Sequence, residues 1–270
     1  MYRFIFFEYF YQMKNSVSLN YKIYGVGKPL LILHGLFGSL DNWNSIASKI
    51  SDWGFQVFNL DLRNHGHSPH TDLHNYDVMS DDVCAFIEQQ KLNGVILLGH
   101  SMGAKAAMFV ASKIPDLITK LVLVDKSPKH YPVTHSTIID ALLKVDFRKQ
   151  TTRKEVENVL EPYINDWSTR QFLMKGLYWK DKDELAWRFN LVAIRNQIEE
   201  VGEAFNPQTP LMMPTLFIAG SKSDYISNKD HLTISKSFND FRIVPIKDAG
   251  HWVHAENPVD FLRVLEDFIV

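Results

Sequence analysis

Val95-Ile96-Leu97-Leu98-Gly99-His100-Ser101-Met102-Gly103 decides how this chain is read. An apolar run of strand-forming residues leads into Gly-x-Ser-x-Gly, and the Ala-rich stretch from Ala104 to Ile114 reads as a helix. Strand, Gly-x-Ser-x-Gly and helix in that order predict a nucleophile elbow, a tight turn that lifts a serine hydroxyl above the edge of a sheet. Gly99 and Gly103 are required because side chains two residues before and after the serine would collide in so tight a turn. The helix that follows points its positive end at the site, where negative charge would develop.

A second glycine motif supports the first. Pro29-Leu30-Leu31-Ile32-Leu33 reads as a buried strand that runs into His34-Gly35-Leu36-Phe37-Gly38-Ser39. A strand ending in His-Gly-x-x-Gly supplies a second oxyanion donor in such folds, so the backbone N–H groups of Leu36 and Met102 are the expected pair. The base is expected near the C-terminus. Phe241 to Ile246 reads as a strand, a closing helix is expected from Asn257 or Pro258 to Phe268, and His251 stands on the loop between them. It is picked from eleven histidines by its place in the order Ser, Asp, His. His254, His100 and His65 are its rivals and are read as structural.

Two aspartates compete for the acid. Asp125 ends the strand Leu121-Val122-Leu123-Val124, and Asp224 follows the strand Thr215-Leu216-Phe217-Ile218-Ala219. Either carboxylate could hold the imidazole in the right tautomer and stabilise its charged form. In many folds of this kind the acid stands three residues after the glycine of the later strand. Here Ser223 holds that place and Asp224 is displaced by one, which redirects its side chain. Asp125 is therefore favoured, with Ser223 and Asp224 kept as alternative acid or support.

At this point the chain resembles the α/β-hydrolase superfamily, and within it the compact esterase/thioesterase branch of bacterial acyl esterases and mitochondrial abhydrolase-domain esterases. The residues that carry the resemblance are His34-Gly35-Leu36-Phe37-Gly38-Ser39, Asp61-Leu62-Arg63-Asn64-His65-Gly66-His67-Ser68-Pro69-His70, Gly99-His100-Ser101-Met102-Gly103, Val124-Asp125-Lys126-Ser127-Pro128 and Gly250-His251-Trp252. It extends from about Leu30 to the end. The resemblance implies an acid on the loop after the sixth strand, which maps onto Asp125, and a serine at the later-strand position, which maps onto Ser223.

Strand-like segments lie near 17–24, 29–33, 55–60, 94–98, 119–124, 214–219 and 241–246, and helix-like segments near 42–52, 76–91, 102–114, 228–238 and 257–268. This alternation predicts an α/β fold: a mostly parallel sheet with helices on both faces and ligands bound at the carboxyl ends of strands. Between Asp125 and Pro214 the alternation stops and helical patterns take over. The expected organisation is a hydrolase core over 14–132 and 207–270, a helical cap over 133–206 inserted after the sixth strand, and an N-terminal extension over 1–13. Thr152-Arg153-Lys154-Glu155 and Ser168-Thr169-Arg170-Gln171 are expected capping boxes. Trp167, Trp179 and Trp187 fall in the cap, most of them expected in its core and some facing an acyl chain in the cleft. Leu36, Phe37 and Trp252 are the candidate substrate-binding residues.

The 270 residues suit one α/β domain with an insertion, and 46 % hydrophobic content supports a sizeable core. A net charge of −2 leaves no electrostatic footprint for nucleic acid. The single cysteine, Cys84, excludes an internal disulfide and points to a reducing compartment, the cytoplasm or an organelle. Cys84 lies in a helical pattern and is read as a small core residue. Arg148, Lys149, Arg153 and Lys154 read as a solvated basic face, which at the cleft mouth would instead meet an anion such as the phosphates of coenzyme A. Arg63 and Asn64 are assigned structural hydrogen bonds. Met1 to Tyr11 is rich in Tyr and Phe but lacks a signal peptide's apolar run and cleavage site and is too short for a span. An extra strand, a surface anchor and an upstream start with Met13 as initiator are the readings open there. No segment after it reads as transmembrane.

The expected chemistry is hydrolysis of a short- to medium-chain ester or thioester, acyl-CoA included, through an acyl-enzyme on Ser101. No metal or organic cofactor is called for, and a monomer or homodimer would serve. An acyltransferase, a perhydrolase or a C–C bond hydrolase on the same site, and a non-catalytic binding module on the same fold, are the alternatives. Dehalogenases and epoxide hydrolases would need a carboxylate where Ser101 stands.

Overall fold

In the computed structural model, residues 15–132 and 136–270 are described. The expected extension over 1–13 lies outside them. Seven strands form one sheet: β1 (Tyr21–Tyr24), β2 (Lys28–Leu33), β3 (Phe55–Leu60), β4 (Val95–His100), β5 (Ile118–Val124), and, beyond an insertion, β8 (Thr215–Gly220) and β9 (Phe241–Ile246). Their order is β1-β3-β2-β4-β5-β8-β9, and every pairing is parallel except β1 with β3.

The strand residues divide between two cores by simple alternation. Leu30, Ile32, Ile96, Leu98, Val122, Val124, Leu216 and Ile218 pack on one face. Leu31, Leu33, Val95, Leu97, Leu121, Leu123, Phe217 and Ala219 pack on the other. Side chains of a strand point to opposite faces in turn, and a sheet covered on both sides therefore reads as a continuous apolar run. Helices α1 (Asn44–Ser51), α2 (Tyr76–Gln89) and α3 (Met102–Lys113) supply part of that cover. Cys84 is buried on α2 and its thiol is pushed up to about 12 by burial, so it behaves as a core residue.

The registers bring the carboxyl ends of the strands level. Leu33 pairs Gly99, His100 pairs Val124, Val124 pairs Ile218, and Gly220 pairs Ile246. The chain moves from β2 outward to β3 and then returns to place β4 on the other side of β2. A crevice opens at such a switch point, outside the strand ends. The loops after β2, β4, β5, β8 and β9 therefore meet at one edge.

Between β5 and β8 lie helices α4 (Ser136–Leu143), α5 (Arg153–Leu160), α6 (Trp167–Lys175), α7 (Leu191–Asn196) and α8 (Ile198–Val201). This stretch is not wholly helical as expected. Strands β6 (Leu177–Asp181) and β7 (Glu184–Trp187) form an antiparallel hairpin within it. Trp179 pairs with Leu185 and Leu177 with Trp187, so β-forming side chains and a polar Lys182-Asp183 turn override the helical reading. Among the described residues the insertion follows the fifth strand, not the sixth as expected.

Local capping explains the helix starts. At α5 the expected box is formed: Thr152 Oγ1 accepts from Glu155 N–H at 3.2 Å, and Glu155 Oε2 accepts from Thr152 N–H at 2.9 Å. The expected box at Ser168 is not. The cap of α6 is Asp166, whose Oδ2 accepts from Thr169 N–H at 2.6 Å. The helix has already begun at Trp167, so Ser168 is inside it. The last helices are α9 (His231–Ser237), α10 (Val253–Glu256) and α11 (Pro258–Ile269).

Candidate active site

Ser101 sits between β4 and α3 at φ 52°, a left-handed conformation that costs a non-glycine residue stability. Its N–H donates to Val124 O at 3.0 Å, and its carbonyl accepts from Ala104 and Lys105, which locks the turn. A Cβ on Gly99 would lie 2.3 Å from Gly103 O, and one on Gly103 would lie 2.2 Å from Leu33 O. The two glycines are thus required by close backbone approach, as the sequence predicts.

The loop after β2 crosses directly above this turn. A Cβ on Gly35 would stand 3.3 Å from the Ser101 Cβ. The loop folds as a turn closed by Gly38 N–H on Gly35 O at 3.0 Å, with Phe37 at φ 60°. His65 Nε2 accepts from Phe37 N–H at 3.1 Å. Leu36 N–H has no partner among the described residues. Met102 opens α3, where first-turn N–H groups have no intrahelical acceptor.

Asp125 follows β5 at φ 50°, anchored by its own N–H on Ile218 O at 2.8 Å. Its carboxylate is fully buried and meets three donors. Oδ2 stands 2.7 Å from His251 Nδ1 and also accepts from the Ser223 hydroxyl, while Oδ1 accepts from Gly220 N–H at 3.1 Å. The imidazole is therefore held with Nδ1–H on the carboxylate, and its Nε2 has no hydrogen-bond partner among the described residues. Asp224 is exposed, has no contact with His251, and lines a neighbouring cavity instead. A one-residue displacement along the loop has turned it away.

A cavity of about 250 Å³ joins these groups. Gly35, Leu36, Phe37, His100, Ser101, His251 and Trp252 line it from the strand-end loops. Ile138, Thr169, Phe172 and Leu173 line it from the insertion. The Phe172 and Trp252 rings meet at 5.3 Å. The sequence reading missed Phe172 and Tyr225. Tyr225 stacks on His251, centroids 4.1 Å apart and planes 22° apart, and the one signal for it was an aromatic two residues after Ser223. The tryptophans expected at the cleft are elsewhere. Trp167 and Trp179 are exposed and Trp187 is buried against Phe189, so one of the three is core rather than most.

The rival histidines are buried. His100 Nε2–H donates to His251 O at 2.9 Å, and burial, with His251 nearby, pushes its ring well below the ordinary value. His65 is lowered in the same way by burial and by His34 and His74. His254 stacks on Trp43 at 3.9 Å and is pushed down to about 3 by burial. Arg63 forms a two-point ion pair with Asp82, at 2.6 and 2.7 Å, and Asn64 Nδ2 donates to Leu73 O. None of Arg148, Lys149, Arg153 and Lys154 lines the cavity. Arg148 and Lys149 meet Asp146, Lys154 meets Glu157, and Arg153 donates to the Met174 and Leu177 carbonyls. Among the described residues no three His, Cys, Asp or Glu side chains are grouped to hold a metal ion, and no helix is long and apolar enough to cross a membrane.

A family model described as alpha/beta hydrolase fold matches residues 28–258. The chain belongs to the α/β-hydrolase family. Among its relatives, the sn-1-specific diacylglycerol lipase ABHD11 of Xenopus laevis is 38 % identical over 265 residues, covering 94 % of this chain and 84 % of that protein. Esterase YbfF of Escherichia coli strain K12 is 32 % identical over 242 residues, covering 89 % of this chain and 92 % of that one. A solved structure described as a marine microorganism esterase superposes with a TM-score of 0.91 at 40 % identity, over 94 % of this chain and 100 % of that one. This α/β-hydrolase thus has relatives named esterases and lipases, in keeping with the resemblance read from its motifs.

Proposed function

We propose that this chain is a serine esterase that cleaves short- to medium-chain carboxylic esters or thioesters through an acyl-enzyme. What supports this above all is the buried Asp125 carboxylate 2.7 Å from His251 Nδ1, in one cavity with Ser101. With Nδ1–H committed to Asp125, Nε2 is the nitrogen that takes the Ser101 proton as the hydroxyl attacks the acyl carbon. The electron pair shifts to the carbonyl oxygen, which the Leu36 and Met102 N–H groups receive. Removing one such donor typically costs about 10²–10³-fold in rate. His251 then protonates the departing alcohol or thiol. Water enters, gives its proton to the same nitrogen as its oxygen attacks the acyl carbon, and the Ser101 oxygen leaves with that proton to release the acid.

Asp125 stabilises the imidazolium in both steps. Ser223 and Gly220 hold that carboxylate still, so the fixed negative charge needs no reorganisation when the ring becomes positive. The segment 133–206 acts as the cap, with Ile138, Phe172 and Leu173 meeting the acyl chain opposite Leu36, Phe37 and Trp252. A fluorophosphonate probe followed by peptide mapping tests the assignment: Ser101 should carry the label, and an unlabelled Ser101 overturns it. p-Nitrophenyl esters compared with acyl-CoA thioesters of two to ten carbons then rank the substrates. An added alcohol acceptor that captures the acyl group in preference to water would reassign the enzyme as a transferase.

A further inference from the structure

Two lysines are buried beside the site, and they are treated differently. Lys105 Nζ donates to three carbonyls, Pro128 O, Lys129 O and Glu203 O, at 3.0, 2.9 and 2.7 Å. Lys126 is 3 % exposed, and no acceptor or carboxylate among the described residues pairs with its Nζ, which keeps some accessible surface. Its ammonium lies over the Tyr131 ring at 3.8 Å and at 5.0 Å from the Tyr225 ring. Cation–π contacts favour a cation at that spot but do not replace the acceptors that three N–H groups lose on leaving water. Burial accordingly pushes the Lys126 ammonium down to about 7, with Asp125 acting in the opposite direction and Lys129 adding to the fall.

Lys126 does not point into solid protein. It lines a cavity of about 290 Å³ together with Pro132, Ile198, Val201, Tyr131 and Tyr225. Of the other charged groups there, Lys129 is paired with Asp230 at 2.8 Å, and His130 and Asp224 are exposed. Tyr225 lines both this cavity and the one containing Ser101. The space therefore offers one unpaired cation, aromatic faces and an aliphatic wall.

We propose that this cavity is a second binding site, distinct from the Ser101 cavity, for a small organic monocarboxylate whose oxygens accept from Lys126 Nζ and whose short apolar body rests on Pro132, Ile198 and Val201. The volume is near the lower end for small-molecule sites, which limits the body to a handful of carbons. Asp224 on the lining disfavours a doubly charged anion, so a carboxylate is selected over phosphate. A buried ion pair with good hydrogen bonds offsets the desolvation that Lys126 now bears alone. Short-chain acids, the products expected of the Ser101 chemistry, are members of this ligand class, but the site itself does not depend on that chemistry.

Isothermal titration calorimetry of the full chain with hexanoate tests this, with hexylamine and inorganic phosphate as the comparison ligands. Any hexanoate held in the Ser101 cavity is common to all variants, so the Lys126 site is read as a difference. Saturable hexanoate binding should weaken at least tenfold in Lys126→Met and in Lys126→Gln, and hexylamine and phosphate should show no Lys126-dependent heat. Ile198→Trp keeps the lysine and fills the cavity from its other wall, and should lose the same binding. Isotherms that are identical in the wild type and these variants overturn the proposal. So does phosphate or hexylamine binding as tightly as hexanoate in a Lys126-dependent way.

Discussion

The strand-end loops of the sheet and the insertion between β5 and β8 both border the Ser101 cavity, yet they contribute different things. On the proposed reading the loops and the helix start that follows Ser101 supply the reacting groups: Ser101, Asp125, Ser223, His251 and the amides of Leu36 and Met102. The insertion supplies Ile138, Thr169, Phe172 and Leu173, mostly apolar walls. The loops leave the strands of a sheet whose side chains pack on two faces, and their backbone is held in strained turns at Phe37, Ser101 and Asp125. The insertion leaves Tyr163, Trp167, Trp179 and Val192 exposed on its surface. Backbone precision is concentrated where the scaffold over-determines it, and on the proposed reading substrate choice falls to the insertion.

The harshest way to break this comparison is Ser101→Ala. Hydrolysis of p-nitrophenyl butyrate should fall by about 10⁴-fold or more with the circular dichroism spectrum unchanged. Next is the pair of aspartates. Asp125→Asn should lower kcat by about 10³–10⁴-fold, because the amide no longer favours the imidazolium or its tautomer, whereas Asp224→Asn should stay within about twofold. Equal losses in the two variants would show that the geometry of the apo site does not report the working acid.

Changes in the insertion should act on KM and chain-length preference instead. Phe172→Ala should raise KM about 10-fold for hexanoyl over acetyl esters while kcat changes little, the size expected from losing one aromatic wall of about 1–2 kcal/mol. Trp167→Ala, on the exposed side of the same helix, should change either constant by less than about twofold.

Acid stability should separate the regions as well. His74 and His254 are pushed down to about 3 by burial, and His34, His65 and His100 are lowered too, all in the core. Residues 136–205 contain no histidine. Below the unfolded value of about 6.5 the unfolded chain binds protons that the folded chain refuses, so stability present above 6.5 is lost as pH falls toward 3. Each such histidine contributes at most about 1.4 kcal/mol per pH unit. Urea midpoints should fall steadily from pH 6.5 to pH 4, with a shallower slope in His254→Phe.

Much of the frame was legible because local patterns agree with the global fold. Apolar runs gave the five central strands, and Gly99 and Gly103 around Ser101 gave the elbow, since a backbone approach closer than 3 Å leaves room for no other residue. The cap of α5 was legible for the same reason, being a contact over three residues. The hairpin at Leu177–Trp187 was not, because its Trp179–Leu185 pairing is set by cross-strand contacts that helical spacing also mimics. Trp167 and Trp179 were misplaced because periodicity gives a face but not what covers it.

Local pattern was enough to put Ser101 in its turn, His251 on its loop and both at one edge of the sheet, since strand order and turn chemistry leave few ways to arrange them. Long-range packing alone set Asp125 rather than Asp224 against His251, seated Tyr225 on the same ring, put Phe172 in the wall and left Lys126 facing a cavity. The first three are contacts, of His251 with Asp125 and Tyr225 and of Phe172 with Trp252, between residues far apart in the chain, fixed by the registers of β5, β8 and β9 and by packing that no local pattern records.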